Sequence, residues 1–468
     1  GLAHARASRP HLTTVRCFGK TCAGKRTVAP GGHVKLAGRR LKPGMRVIFK
    51  ANTASRRRTV KSQFIGSRHL LARVPANALT GRLYARTKQG VRTNSIGPIR
   101  IKKKRKPPPT PGYGDGPPPT GTAFDGDAMW IWYVSKAEGG NLDAIVARAR
   151  AHGIETLFVK SGDGTGYWSQ FTPALVATLH AAGLRVCGWQ YVYGKSPGAE
   201  AAVAARAKDA GADCFVIDAE REYEGRYTEA RTYMSELRAA VGAAYPIGMS
   251  SFPYVDYHPG LPYSEFFSPG GAQFDVPQVY WKEIGDSVDA ATDHTYRYNR
   301  PYGTPIAPVG QSYNAPPAEQ IARFRQLGRA QDSAGLSWWE WSSTANAGWD
   351  AIGAPLDAFS GTPPTHDFAM VAKGAKGDLV VWAQRHLQAA GANIDADGEF
   401  GPATQAAVKD FQGAKGLDPT GQVDTVTWRA LLAYSPRPLA KPGLAKAAAS
   451  AVPKTADLPA KRYEIPGK

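Results

Sequence analysis

Apolar and polar positions divide the chain into three regimes. Over residues 1–101 the pattern is one of short alternating runs. Residues 28–38 read VAPGGHVKLAG, the run 46–49 follows a Pro-Gly pair, and 70–74 and 82–87 are further strand candidates. Short strands between turn residues at this spacing predict a small β-sandwich. From Ala128 onward, apolar runs begin near Trp130, Thr156, Arg185, Cys214, Pro246, Val276, Pro305 and Gly335. Ala-rich amphipathic stretches lie between most of them, at 142–152, 174–182, 199–210, 228–241 and 318–334. The repeat is roughly thirty residues, the size of one βα unit, and eight such strands close a (β/α)8 barrel. Gly153, Gly183, Gly211 and Gly242 stand where helices end. The fifth and sixth crossovers have little helical pattern and are expected to carry loops. In the third regime Val380, Val381 and Leu387, then Val408 and Phe411, then Trp428, Leu431 and Leu432 predict three short helices.

Composition sets the joints between these regimes. Residues 102–124 open with KKKRK and continue rich in Pro and Gly, the mark of a stiffened linker. A second linker is expected at 361–369, and 435–468, rich in Ala, Pro and Lys, has little to bury and reads as a tail. The fold class is therefore multidomain: a β-sandwich at 1–101, a central TIM-type barrel at 125–360 and a small three-helix bundle at 370–434.

Charge is divided as sharply. Residues 1–106 hold 28 of the 59 Lys and Arg and none of the 38 Asp and Glu, which leaves 31 bases against 38 acids in the remainder. A basic module of this kind favours a polyanionic partner such as a wall polymer, a membrane surface or nucleic acid. Cys17 and Cys22 sit close enough to close a small disulfide, which suits an exported protein. Two thiols with no nearby Cys/His pair are too few for zinc. Cys187 and Cys214 lie on apolar strands and read as separate buried thiols. No apolar run is long enough to span a membrane. Ala3-His4-Ala5 has the small-x-small form of a signal-peptidase site.

The stretch that carries chemistry is 214–224, CFVIDAEREYE. An apolar run ending abruptly in acids is how a buried parallel strand emerges at a barrel mouth. Residues two apart on a strand share a face, so Asp218 and Glu220 point the same way. Strand ends at the same mouth would collect Trp132, Tyr133, Lys160, Asp163, Trp189, Tyr191, Ser250, Tyr280, Trp281, Gln311 and 338–341. So many rings suit a sugar, whose apolar faces lie on aromatic ones. Trp132, Lys160, Trp189, Tyr191, Tyr280, Trp281, Trp338 and Trp341 are the candidate binding residues. Core filling is the plainer reading of any one Trp. A salt bridge to Lys160 or Arg221 is the plainer reading of Asp218 and Glu220. Glu340, inside Trp338-Trp-Glu-Trp341, is a further candidate acid or nucleophile, and Asp163, Glu222 and Glu224 read as loop charges.

Three resemblances sharpen this picture. Val74-Pro-Ala-Asn-Ala-Leu-Thr-Gly81, with Gly90 and Asn94, resembles the second half of the immunoglobulin-like IPT/TIG domains, which implies an immunoglobulin-like spacer or adhesion module. Asp397-Gly-Glu-Phe-Gly401, Thr404, Ala407-Val408, Phe411-Gln412, Gly416-Leu417, Gly421-Gln-Val423 and Thr427-Trp428 resemble the type 1 peptidoglycan-binding domain, which implies wall binding. Trp132-Tyr-Val-Ser135, Gly140-Asn-Leu-Asp143, Ala151-His-Gly-Ile154, Phe158-Val-Lys-Ser161 and Asp218-Ala-Glu220 resemble the family 25 glycoside hydrolases, lysozyme-like muramidases. That last resemblance implies Glu220 as general acid and Asp218 as the carboxylate assisting the substrate's own N-acetyl group. Aromatic desolvation and the charge of Asp218 would favour the protonated acid that Glu220 must be. The family carries an aspartate on the first strand, where this chain has Tyr133.

No His pair has metal spacing, no phosphate loop follows a strand, and no Gly-x-Ser-x-Gly or Cys/His site is visible. No cofactor is called for. The expected protein is secreted and cell-wall associated, with peptidoglycan or another anionic wall polymer as partner, and its oligomeric state is left open. Three functions follow, in order of preference: cleavage of the wall glycan strand, non-catalytic anchoring or adhesion by a glycan-holding barrel, and nucleic-acid binding through 1–106. The last is disfavoured because aromatic residues are not interleaved with the bases.

Overall fold

The computed structural model describes residues 9–19, 22, 24–29, 31–50, 57–65, 68–75, 78–101 and 121–438. Ala3-His4-Ala5, most of the first linker and nearly all of the tail lie outside the described residues. The chain forms two compact units, Gly1–Asp115 and Gly116–Lys468.

In the first unit, β1 (His11–Phe18), β2 (Thr27–Val28), β3 (His33–Arg39), β4 (Arg46–Lys50), β5 (Arg57–Ile65), β6 (His69–Arg73), β7 (Gly81–Arg86) and β8 (Ile96–Ile101) make one sheet in the order β1-β3-β6-β5-β4-β7-β8-β2. Its pairs are antiparallel except β2 with β8. Strand β5 is shared, its first part paired with β4 and its second with β6. Alternation does the rest. Val15, Val34, Leu36, Val47, Leu70, Leu83 and Ile99, drawn from both halves, meet in one core. Cys17 and Cys22 are bonded, with Cα atoms 5.6 Å apart.

The second unit opens with β9 (Gly126–Ile131), β10 (Ile154–Asp163) and the short β11 (Gly166–Tyr167), which folds back on β10. Then come β12 (Arg185–Val192), β13 (Cys214–Ala219), β14 (Ile247–Ser251), β15 (Phe274–Val279), β16 (Val309–Gln311) and β17 (Gly335–Trp339). Apart from β11 the strands are parallel, and β17 pairs with β9, so eight strands close a TIM-type barrel. Around it run α1 (Leu142–Ala151), α2 (Pro173–Ala181), α3 (Pro197–Asp209), α4 (Tyr227–Val241), α5 (Tyr263–Phe266), α6 (Trp281–Ile284), α7 (Val288–Asn299), α8 (Ala318–Ala330) and α9 (Asn346–Gly353). Trp130, Phe158, Trp189, Val216, Val276, Val309 and Trp339 fill the barrel interior. Phe124 stacks on Phe274 with ring centres 4.3 Å apart, at the N-terminal ends of the strands.

Two expectations are corrected here. Cys187 and Cys214 are not separate thiols: they sit opposite each other on β12 and β13 and are bonded. Each lies on an apolar strand, but only the parallel register, which a single sequence does not display, makes them neighbours. The sixth crossover carries a full helix, α7, where a loop was expected. Its buried stripe is Val288, Ala291, Thr292, Thr295, Tyr296 and Asn299. Thr295 and Asn299 donate to backbone carbonyls one turn back, so polar residues occupy apolar positions and blur the period.

The fifth crossover has only the four-residue α5, and the C-terminal bundle packs there. That bundle is α10 (Asp378–Ala389), α11 (Pro402–Ala414) and α12 (Thr425–Leu431). One apolar cluster runs from the barrel through Tyr263, Phe267 and Tyr302 into Trp382, Leu387, Val408 and Trp428. Polar groups fix the register of docking. Trp382 donates to the Pro301 carbonyl at 2.7 Å. Burial would raise the Glu265 carboxyl, but Arg385 and Arg231 hold it below its usual range. Asp378, fully buried, accepts from the Ser264 amide (2.8 Å), the Ser264 hydroxyl (2.6 Å) and the Tyr302 hydroxyl (2.8 Å). Gly377 precedes it at φ 123°, and a Cβ there would lie 2.8 Å from Pro259. This joint admits only glycine.

Burial pushes the Asp378 carboxyl up to about 6, against the three hydrogen bonds that favour its ion. A carboxyl raised above its unfolded value binds its proton more tightly when folded, so it costs stability as pH rises from about 4 to about 6, at up to about 1.4 kcal/mol per pH unit. Asn at this position can keep all three contacts, its oxygen replacing the acceptor of two and its amide donating to the Ser264 hydroxyl. Asp378→Asn is expected to fold, and its melting temperature relative to wild type should climb between pH 4 and 6 and level off above. Denatured protein alkylated without reductant should take no label on any of its four cysteines, and four labels after reduction.

Candidate active site at the barrel mouth

Strand β13 buries all six of its residues. Phe215, Ile217 and Ala219 pack outward into the helical layer, and Cys214 and Val216 pack inward. Asp218 continues the inward set, with Glu220 one step past the strand end. Asp218 is 1% exposed and Glu220 5%. Both take a hydrogen bond from one nitrogen, the side-chain amide of Gln278 on β15, at 3.0 and 2.9 Å. The same nitrogen lies 3.2 Å from the Ser250 hydroxyl on the intervening β14. Two oxygens that share one donor lie within about 6 Å of each other, close enough for two ionised carboxylates to interact strongly.

Tyr191, opposite Asp218 in the β12–β13 register, donates to Glu222 at 2.6 Å. Burial first, then the negative charge of Glu220 and the bond to Glu222, push its hydroxyl far above its ordinary value. Burial and a bond to Asp163 raise Tyr193 to about 12. Both phenols are therefore donors at any working pH. Glu222 and Asp163, expected as loop charges, are the acceptors that orient them.

Beside the acids lies an indole cluster built on a cation. Lys160 pairs with Asp163 at 2.7 Å and is 2% exposed. Its ammonium lies 4.4 Å from the ring of Trp132, 4.6 Å from Trp168 and 4.7 Å from Trp189, within cation–π range of each. Trp339 closes the group, with ring centres 5.4 Å from Trp189 and 5.7 Å from Trp132. Trp189 and Trp339 are buried, Trp132 and Trp168 half-buried, and Tyr133 exposed and stacked on Trp132. Gln170 ties the loop to the strands by donating to the carbonyls of Trp132 and Lys160. Tyr280 faces the interior and meets Tyr313 edge-on.

Three expected binding residues lie elsewhere. Trp281 packs on Phe324 and donates to Gln320, Trp338 also packs on Phe324, and Trp341 packs on Trp349 and donates to Glu138. All three belong to the outer helical layer. On β17 the inward residue is Trp339, and Trp338 points out. Glu340 follows a cis peptide bond and accepts from the amide and hydroxyl of Ser342, capping the turn 341–343. Gln278 and Trp168 were not among the expected site residues, and Trp339 was expected at the mouth within 338–341 but not among the binding candidates. Gln278 could have been found, because Phe274, Val276, Gln278 and Tyr280 are one inward-facing set with a lone amide in it.

Two surface clefts are lined by residues other than the acids. One of about 360 Å³ is lined by Trp281, Asp286 and Gln320, and another of about 430 Å³ by Tyr298, Phe368 and Thr425. Among the described residues no three His, Cys, Asp or Glu side chains gather to hold a metal ion, and no helix is long and apolar enough to cross a membrane.

Residues 376–431 match the family model of the peptidoglycan binding domain, and this segment of the chain is such a domain. Two buried glutamines hold the bundle together. The Gln384 amide bonds Asp397 and Thr404 and its oxygen takes the Gly398 amide, while Gln412 does the same for Thr420, Thr427 and Gly421. No curated protein matches the chain. Among solved structures, a chitinase from Chromobacterium violaceum is 13% identical over 49% of this chain and 98% of its own, at a TM-score of 0.37. A class V chitinase from Pseudomonas fluorescens is 11% identical over the same shares, at 0.39. The autolysin LytC of Streptococcus pneumoniae is 10% identical over 46% of this chain and 57% of its own, at 0.24. Likeness at this level says nothing of function.

Gln278→Leu removes the amide that both acids share. Buried groups stripped of a donor cost roughly 1–3 kcal/mol each, so the variant should unfold at lower temperature than wild type at pH 7.

Proposed function

We propose that this is an exported wall protein that holds peptidoglycan through residues 376–431 and cleaves its glycan strand at the barrel mouth. The observation that carries the reading is the Asp218–Gln278–Glu220 arrangement: two inward carboxylates on one donor, beside an indole-lined rim. Glu220, past the strand end and the more exposed of the two, is the general acid. It gives its proton to the glycosidic oxygen as the bond from that oxygen to the anomeric carbon breaks. The substrate's acetamido oxygen closes on the anomeric carbon, and Asp218 takes the acetamido N–H and balances its charge. Water then opens the ring and returns a proton to Glu220. Trp132 and Trp168 are the surfaces on which a sugar face would lie, held in place by Lys160. The basic first unit and the two disulfides fit an oxidising, polyanion-rich setting.

A second reading, a barrel that holds glycan without cutting it, is favoured by two observations. Tyr133 stands exposed where the resembled family has an aspartate, and both acids are nearly covered.

General acid catalysis contributes about 10²–10⁴-fold. Purified protein should release reducing ends from peptidoglycan, and Glu220→Gln should lower that rate at least about a hundredfold while the protein still sediments with walls. Undiminished release by Glu220→Gln would remove Glu220 from the mechanism. Wild type that sediments with walls yet releases nothing would establish the second reading.

A further inference from the structure

The bases of the first unit are arranged, not scattered. Arg46 on β4 is paired with Lys61 on β5 and with Arg86 on β7, and Arg86 is bridged to Arg92. Directly paired residues of antiparallel strands project from the same face, and all four of these are exposed. Neighbouring strands stand about 4.8 Å apart, so the four cations run in single file for roughly 15 Å. Like charges placed directly opposite one another destabilise a sheet, and residues 1–106 contain no carboxylate to relieve them. On the adjacent row Tyr84, paired with Ile48, lies under the Arg92 guanidinium at 3.8 Å from its ring centre. Arg92 also donates to Ser95 at 3.1 Å, so this end of the row is held in place.

We infer that the Lys61–Arg46–Arg86–Arg92 row is a docking strip for a single-chain, phosphodiester-linked polymer of the cell wall. The inference rests on the reading above in one respect, that the protein works where peptidoglycan is. Three of the four cations are guanidinium forks, which match phosphate oxygens pairwise. Single file suits one chain of charges better than a duplex, whose phosphates follow two backbones. The face of the Tyr84 ring that Arg92 covers is closed to a stacking base. The opposite half of the sheet has a shorter set, Arg16 paired with Lys35 and His33 with Arg73, and the row of Lys35 continues into Leu71 rather than a further base.

The test uses the full chain with poly(glycerol phosphate) as probe, and a DNA duplex and polyglutamate at equal charge as competitors. Wild type should prefer poly(glycerol phosphate), with affinity falling as salt rises. Arg46→Gln/Lys61→Gln/Arg86→Gln should bind at least tenfold more weakly, with the salt slope reduced by about two. Arg46→Gln alone should give a partial loss, which keeps the test sound if the triple variant does not fold. Arg16→Gln/Lys35→Gln/Arg73→Gln, which removes the same charge from the other half, should keep most of the affinity. Equal losses in the two triple variants would reduce the effect to net charge and overturn the proposal, as would wild-type affinity in the first variant or a preference for DNA or polyglutamate. Glu220→Gln should bind the polymer as wild type does, so loss of glycan cleavage and loss of this strip register separately.

Discussion

The parity of a barrel strand is the constraint on which this structure rests. Closing eight parallel strands forces each to send alternate residues into the interior and the others into the helical layer. On β13 that parity puts Asp218 and Glu220 on one side with Val216 and Cys214, and leaves Phe215, Ile217 and Ala219 to pack outward. The same parity places Gln278 two strands away at a height where one amide reaches both acids. It also decides between Trp338 and Trp339. A slip of one residue on β17 would exchange the indole at the mouth for the one against α8.

Much of this was legible in the chain, because strand period and helix period are local properties. The apolar run into Asp218 and Glu220 announces a buried strand and its end, and the glycines after the helices mark the crossovers. What could not be read is how strands stand beside one another. Cys187 and Cys214 look like independent apolar positions until the register of β12 on β13 makes them opposite. The three tryptophans of 338–341 look equivalent until one is seen to turn inward. Helix α7 failed for a different reason: Thr295 and Asn299 satisfy themselves on the helix backbone and are buried like apolar residues, so the sequence shows polarity where the fold sees volume. At the mouth, the acids and Lys160 are expected from residue type alone. Gln278 escaped notice because glutamine is seldom the residue sought when carboxylates are the chemistry.

The C-terminal bundle is where fold and function are joined most tightly. A peptidoglycan binding domain on a flexible tether would concentrate the barrel near the wall without fixing its orientation. Here α10 packs on the short α5, and Asp378, Arg385 and Trp382 give the contact a register. Burial of Asp378 costs more than its three hydrogen bonds recover, since its carboxyl stays raised. A buried acid that weakens the joint but fits only one arrangement contributes definition rather than strength. The bundle therefore stands at a set angle to the barrel, fixed by these contacts.

The two units handle charge in opposite ways. Around the mouth and at the bundle joint, polar groups are engaged at short range: Lys160 by Asp163 and three indoles, Asp218 and Glu220 by Gln278, Glu265 by two arginines. Such engagement holds side chains still, which is what a site that positions a reacting bond requires. On the first unit, Arg46 has a base on either side and no acid within the first 106 residues to answer it. Uncompensated charge of that kind lowers the stability of the sheet that bears it and raises its affinity for a polyanion by the same repulsion relieved. The barrel holds its charged groups in place, whereas the sheet of the first unit leaves its row of bases exposed.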